Sequence, residues 1–255
     1  MGSEFLLSEG EKQWLRQFER RLDQLDGRVS FTTSFLDPRL LELAGIALKN
    51  NHTCSYTIGG GYPEAERNVI HLFPVSQPGA TPPVKAVLVQ GIKGETDLEH
   101  RDILGAVLGL GLRRDQIGDI VHLEKDGVAI MVLETKSDYI ATNLVRVGRQ
   151  DVICSVIDPE DLSLAEESGK EIRGTVASLR ADAVLSLGFG LSRSRMTMLI
   201  KGGLVRVNWR PVSSPSLQLK EGDQLSLKGK GRVLLEKVEG ETRRGRLHLS
   251  LKRYS

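Results

Sequence analysis

The alternation of apolar and polar positions divides the chain into three blocks. In the first, Trp14, Leu15, Phe18, Leu22 and Leu25 recur at helical spacing, which predicts a helix over 9–25. Asp37 followed by Pro38 has the form of an N-cap and first helical residue, opening a second helix to about Lys49. A strand over 53–58, the turn Gly59-Gly60-Gly61 and a strand over 68–73 follow, and residues 75–83, with three prolines, read as a linker. In the second block the pattern predicts a strand over 84–90 and a helix over 98–110. Strands over 117–123 and 128–133 then flank the turn Lys125-Asp126-Gly127, before a helix over 137–147 and a strand over 152–157. That β-α-β-β-α-β order predicts a ferredoxin-like (RRM-like) split βαβ sheet.

An acidic stretch, Asp158 to Glu171, leads to the third block. A short helix over 178–187 is ended by Gly188-Phe189-Gly190, and a second is capped by Ser192 and closed by Gly202-Gly203. Strands over 204–207, 224–228 and 232–237 alternate with turns at 208–211 and 220–223 to complete a small twisted sheet. The expected fold class is α+β. It comprises an N-terminal α/β subdomain over residues 1–80, a ferredoxin-like domain over 84–158 and a compact module over 175–255.

Composition adds exclusions. At 40% hydrophobic and 27% charged the chain suits ordinary globular domains, and no apolar run approaches the roughly 20 residues of a membrane span. The N-terminus lacks the basic-then-apolar design of a secretory signal. Cys54 and Cys154 are the only cysteines, without a CxxC pair, and the five histidines show neither HxH nor HExxH. A soluble monomer of a reducing cytoplasm is expected, with no metal site and no cofactor.

Charge changes the picture more. Residues 1–174 carry 19 Lys+Arg against 27 Asp+Glu, a balance of −8, whereas residues 175–255 carry 16 against 6, a balance of +10. A basic module joined to an acidic body points to a polyanion at one end. Membrane is the weaker candidate, because the basic end has no large amphipathic helix with aromatic anchors. On the capped helix Arg193, Thr197 and Lys201 line one face at i, i+4, i+8, and Arg193 and Arg195 occupy the first turn. Cations there face the positive end of the helix dipole unless an anion joins them. A phosphate would accept the free backbone N–H groups and both guanidinium forks. Arg206, Arg210, Lys228, Lys230 and Arg232 follow within the same stretch, so RNA is favoured over a merely solvated basic face.

The run Arg180-Ala181-Asp182, Ser192-Arg193-Ser194-Arg195, Leu199-Ile200-Lys201-Gly202-Gly203-Leu204-Val205-Arg206-Val207-Asn208 and Gly222-Asp223-Gln224-Leu225 resembles the S-four RNA-binding domain, the αL motif. The chain departs from that pattern at Ala181, where members usually have leucine, and at Trp209, where many have glycine. Upstream, Phe35-Leu36-Asp37-Pro38-Arg39, the segment Gly60 to Arg67 and the segment His100 to Ala106 are similar to YlmH-type proteins, and the resemblance covers nearly the whole chain. It implies non-catalytic binding of structured RNA, ribosomal RNA or tRNA, on the large ribosomal subunit, in rescue of stalled ribosomes or in assembly. The setting implied is bacterial cytoplasm or plastid stroma. It adds Arg180, Ser192, Ser194 and Asn208 to the expected RNA-binding set.

Other candidates are weaker. The Gly59-Gly60-Gly61-Tyr62 segment follows a strand but lacks the Lys-Ser/Thr of a phosphate loop; it is a turn, or a surface for RNA or a partner with Tyr62 and Arg67. Gly148-Arg149-Gln150-Asp151 superficially resembles the signature of pseudouridine synthases, with Asp151 as nucleophile. The 84–157 block is too short for their catalytic sheet, and Asp151 is expected at a strand end, in water or paired with Arg149.

Overall fold

The computed structural model describes residues 7–25, 29–49, 51–77, 79–92, 98–124, 127–165 and 169–254. The expected Lys125-Asp126-Gly127 turn falls mostly outside them, as do Pro78 of the proline linker and 166–168 of the acidic stretch. The chain is a mixed α+β protein whose described strands form three antiparallel sheets, in two compact units, Met1–Glu166 and Glu167–Ser255.

The first unit opens with α1 (Glu9–Gln24), β1 (Phe31–Thr32), α2 (Pro38–Leu48), β2 (Cys54–Gly59) and β3 (Val69–Pro74). Ser8 and Glu11 form a reciprocal capping box at α1, and Asp37 accepts the Leu40 N–H at 2.9 Å with Pro38 in the first turn of α2, so both helices begin where unpaired N–H groups find oxygens. The strands order β1-β3-β2, and Phe18, Leu36, Ala44, Leu48, Ile70 and Leu72 form the core between helices and sheet.

Next come β4 (Val84–Gly91), α3 (His100–Gly109), β5 (Ile117–His122), β6 (Val128–Leu133), α4 (Glu134–Asn143), β7 (Arg146–Val147) and β8 (Gln150–Ile157). The strand order is β5-β6-β4-β8-β7. The period-2 pattern of these strands gives the sheet two apolar faces. Val87, Val89, Ile130 and Val132 pack on Ile103, Val107 and Ile140 of the helices. Ala86, Ala129 and Met131 point the other way and pack on Phe35 and Val69 of the first sheet region. One expectation needs correction: α4 starts at Glu134 and stops at Asn143, because 146–147 pair with Gln150 and Asp151 across a turn at Gly148.

The second unit holds β9 (Lys170–Val176), α5 (Ala181–Phe189), α6 (Arg193–Lys201), β10 (Val205–Val207), β11 (Arg210–Pro211), β12 (Gln224–Leu227), β13 (Gly231–Glu241) and β14 (Leu247–Tyr254). Its sheet has six strands in the order β11-β10-β12-β13-β14-β9, more than the small sheet expected. β9 begins at the end of the stretch read as an acidic linker and runs into the third block, and its residues from Lys170 to Val176 pair with β14 from Arg253 back to Leu247. Val184, Leu185, Met196 and Ile200 of the helices pack on Val205, Leu225, Val233 and Leu251 of one sheet face.

Candidate nucleic-acid interface

Ser192 stands in extended conformation before α6 and its hydroxyl accepts the Arg195 N–H at 3.3 Å, the capping read from the sequence. Met196 and Ile200 are fully buried. That fixes the helix rotation and leaves Arg193, Ser194, Arg195 and Lys201 exposed, with Thr197 half-buried among them. Ser194 Oγ lies 3.2 Å from Ser192 Oγ.

The first turn of α6 has an anion of its own. Arg193 Nη2 donates to Asp182 at 2.8 Å, and Arg180 donates to the same carboxylate through Nε at 3.1 Å and Nη2 at 3.4 Å. The Asp182 side chain is only 7% exposed. Burial alone would raise its pKa, but the hydrogen bonds and charges of Arg180 and Arg193 outweigh that and hold it below the ordinary carboxylate value. Arg193 and Arg180 are therefore oriented before any ligand arrives, while Arg195 makes no such internal ion pair among the described residues.

The remaining basic residues lie elsewhere on the unit. On the sheet face turned away from the helices, Arg206 is opposite Ser226, Ser226 opposite Arg232, and Arg232 opposite Tyr254, whose ring lies 5.0 Å from the Arg232 guanidinium. Lys228 and Lys230 are exposed on the turn between β12 and β13. The Lys228 N–H bonds to Leu204 O, which sets this turn beside the end of α6 that carries Lys201. Arg210 is half-buried on β11. The basic stretch thus divides between a helix surface and a sheet surface.

Asn208 is engaged within the fold: its amide donates to Asp223 Oδ1 at 2.9 Å and accepts the Gln224 N–H at 2.9 Å. Asn208 and Trp209 form a two-residue hairpin turn with φ of 48° and 62°. Both values lie in the left-handed region that β-turns of this class require and that glycine enters without strain. Arg246, which the sequence reading left out of the site, donates to Thr175 Oγ1 at 3.0 Å and Thr175 O at 2.6 Å. With Arg193 it borders a groove of about 290 Å³ lined also by Ala177, Ser186 and Leu191. The basic run Arg243-Arg244-Gly245-Arg246 was the available signal.

In the first unit Asp151 is exposed at the start of β8, 3.5 Å from Arg146 Nε, so its partner is Arg146 and not Arg149. Tyr139, the nearest tyrosine in sequence, gives its hydroxyl to Leu110 O at 3.0 Å. Among the described residues no group of three or more His, Cys, Asp or Glu could hold a metal ion, and no helix is long and apolar enough to cross a membrane.

Comparison with known proteins gives two family matches: the S4 domain over residues 179–225 and the putative RNA-binding domain in YlmH over residues 86–161. The ribosome-associated protein quality control protein P2 of Bacillus subtilis (strain 168) is 35% identical over 236 residues, covering 92% of this chain and 91% of that protein. The small ribosomal subunit protein uS4 of Geobacter sp. (strain M21) is 44% identical over 62 residues, 23% of this chain and 30% of its own length. Among solved structures, the cell division protein ylmH from Streptococcus pneumoniae matches 61% of this chain and 96% of its own, at 19% identity and a TM-score of 0.48. With the Bacillus subtilis relative 35% identical over 92% of this chain, and with the S4 domain and the YlmH RNA-binding domain both matched within it, this chain belongs to the YlmH family.

Proposed function

We propose that this protein binds structured RNA, ribosomal RNA or tRNA on the large ribosomal subunit, and acts there as a monomer in the rescue of stalled ribosomes without catalysing a reaction. The observation that carries the proposal is the exposed cationic surface of α6, with Arg193 and Arg180 held ready by Asp182, in a unit that matches the S4 domain. The name of the Bacillus subtilis relative, ribosome-associated quality control, favours rescue over assembly. In this proposal phosphate contacts come from Arg180, Arg193, Arg195, Lys201, Arg206, Arg210, Lys228, Lys230 and Arg232, with Ser192, Ser194, Thr197 and Asn208 shaping their surroundings. Three blocks carry separate tasks: 1–80 supports, 84–158 is a ferredoxin-like auxiliary domain, and the basic block from 175 onward grips RNA. The β-α-β-β-α-β element order of the middle block and its strand order support the ferredoxin-like assignment.

A pseudouridine synthase would need Asp151 in a pocket that takes a flipped uridine, with an aromatic to stack on it. The exposed setting of Asp151 and the direction of Tyr139 favour the non-catalytic reading. Sucrose-gradient sedimentation of cell extracts tests the proposal. The unaltered protein and Asp151→Asn should both travel with large subunits and give the same pseudouridine map of total RNA. Sedimentation at the top of the gradient, or a modified site that vanishes in the mutant, would contradict it.

A further inference from the structure

The first unit matches a putative RNA-binding domain over 86–161, yet the surface by which RRM sheets meet RNA is closed in it. Such sheets stack bases on aromatic side chains of their two central strands. Here β4 and β6 present Ala86, Leu88, Ala129 and Met131 on that face, and Phe35 and Val69 bury all but Leu88 of these.

Two sequence segments without a role, Gly60 to Arg67 and the start of α3, meet instead at the β5 edge. Asp119 accepts the Tyr62 hydroxyl at 2.9 Å and the N–H groups of Glu66 and Arg67 at 2.7 and 3.2 Å. Arg67 Nε and Arg114 Nη1 then donate to one carbonyl, that of Ile117, at 3.1 and 2.6 Å, which places two guanidinium groups side by side. Arg67 is completed by Phe35 O at 3.0 Å. Among the described residues the Arg114 side chain bonds only to the carbonyls of Ile117 and Gly118, and no carboxylate lies within ion-pair distance of it. Burial and the neighbouring Arg67 charge lower its pKa to about 10, with Asp119 acting in the opposite sense. His100 is near as well. Packing around its ring and then the charges of Arg114 and His122 hold it below the usual imidazole range, although part of the residue stays exposed.

Asp119, and for Arg67 also Asp37 and Asp115, offset in part the two like charges that share this carbonyl, and a further anion beside Arg114 would relieve the rest. An RNA phosphate supplies several acceptor oxygens to a guanidinium fork and to imidazole N–H groups at once. We propose that Arg114, with His100 near it and His122 near that histidine, is a phosphate-binding site through which the first unit contacts the RNA backbone. The proposal rests on the RNA-binding reading of the whole chain.

The test is filter binding of the full-length protein to protein-free ribosomal RNA extracted from large subunits, at several salt concentrations. Arg114→Gln should weaken binding several-fold and reduce the slope of log affinity against log salt by about 0.7 to 0.9, one phosphate contact. His122→Glu, at an exposed position, should weaken it comparably and decides the matter if Arg114→Gln fails to fold by circular dichroism. Arg195→Ala runs in parallel. If the unaltered protein does not bind this RNA, the RNA-binding reading itself fails. If Arg195→Ala weakens binding while folded Arg114→Gln and His122→Glu do not, this site alone is overturned. It is also overturned if these two variants lose binding only to intact subunits, which would make the patch a contact for a ribosomal protein.

Discussion

Asp182 holds two arginines with one carboxylate while almost wholly buried. A carboxylate in that position cannot lose its charge without leaving Arg180 and Arg193 uncompensated. Asp182→Asn should therefore lower stability at pH 7 by about 1.5–3 kcal/mol, the usual range for hydrogen bonds to charged groups. Because the folded pKa is depressed, the stabilisation is present above the ordinary carboxylate value near 4 and lost as pH falls through the lower folded value. Urea denaturation of both proteins at pH 7 and in acid should show the gap between them closing as the pH drops. This residue marks a boundary of sequence reading. The dipole argument correctly called for an anion at the first turn of α6, and a phosphate was the natural candidate. The carboxylate lies 11 residues before Arg193, a long-range contact that spacing on one helix does not reveal. Asn208 has a similar history: as a residue type it suits RNA contact, and only the register of β10 against β12 shows its amide tied to Asp223 and Gln224.

At the scale of elements, helices with caps and strands carried by short apolar runs were legible. Asp37-Pro38, Ser192 and the β4, β5 and β6 runs each combine a local signal with an apolar face. β9 was not. Its sequence, Lys170 to Val176, has Ile172 and Val176 as its only large apolar residues, and what makes it a strand is pairing with β14 more than 70 positions away. β14 alternates Leu247, Leu249 and Leu251 with polar residues and carried a signal that the basic run before it obscured. The junction of the two sheet regions in the first unit offers a test of packing. A Cβ on Gly118 would lie 2.6 Å from Phe35 Cε1 and 2.9 Å from Met131 Cβ. Gly118→Ala should cost about 1–3 kcal/mol by overpacking, read as a lower thermal midpoint of the first unit. A midpoint unchanged in calorimetry would mean that Phe35 can retreat.

On the whole chain, the opposed charges coincide closely with the division into two units, which bears on how the molecule can be dissected. A cut at Thr175, the boundary that charge alone suggests, removes most of β9 and leaves β14 paired on one side only, with β13. A fragment from Gly169 to Ser255 should fold and retain most RNA affinity, with the steep salt dependence of phosphate contacts. A fragment from Thr175 should be less stable in urea and bind more weakly. Equal behaviour of the two in denaturation and filter binding would show β9 to be dispensable. The β9–β14 pairing also sets an order of events during synthesis. Domains fold as the chain emerges, N-terminal parts first. β9 leaves the ribosome before the rest of its unit, yet among the described residues its one partner strand is β14, the last of the unit's strands. The first unit can therefore mature while translation continues, whereas the sheet of the second unit closes only once β14 has emerged to meet a β9 made more than 70 residues earlier.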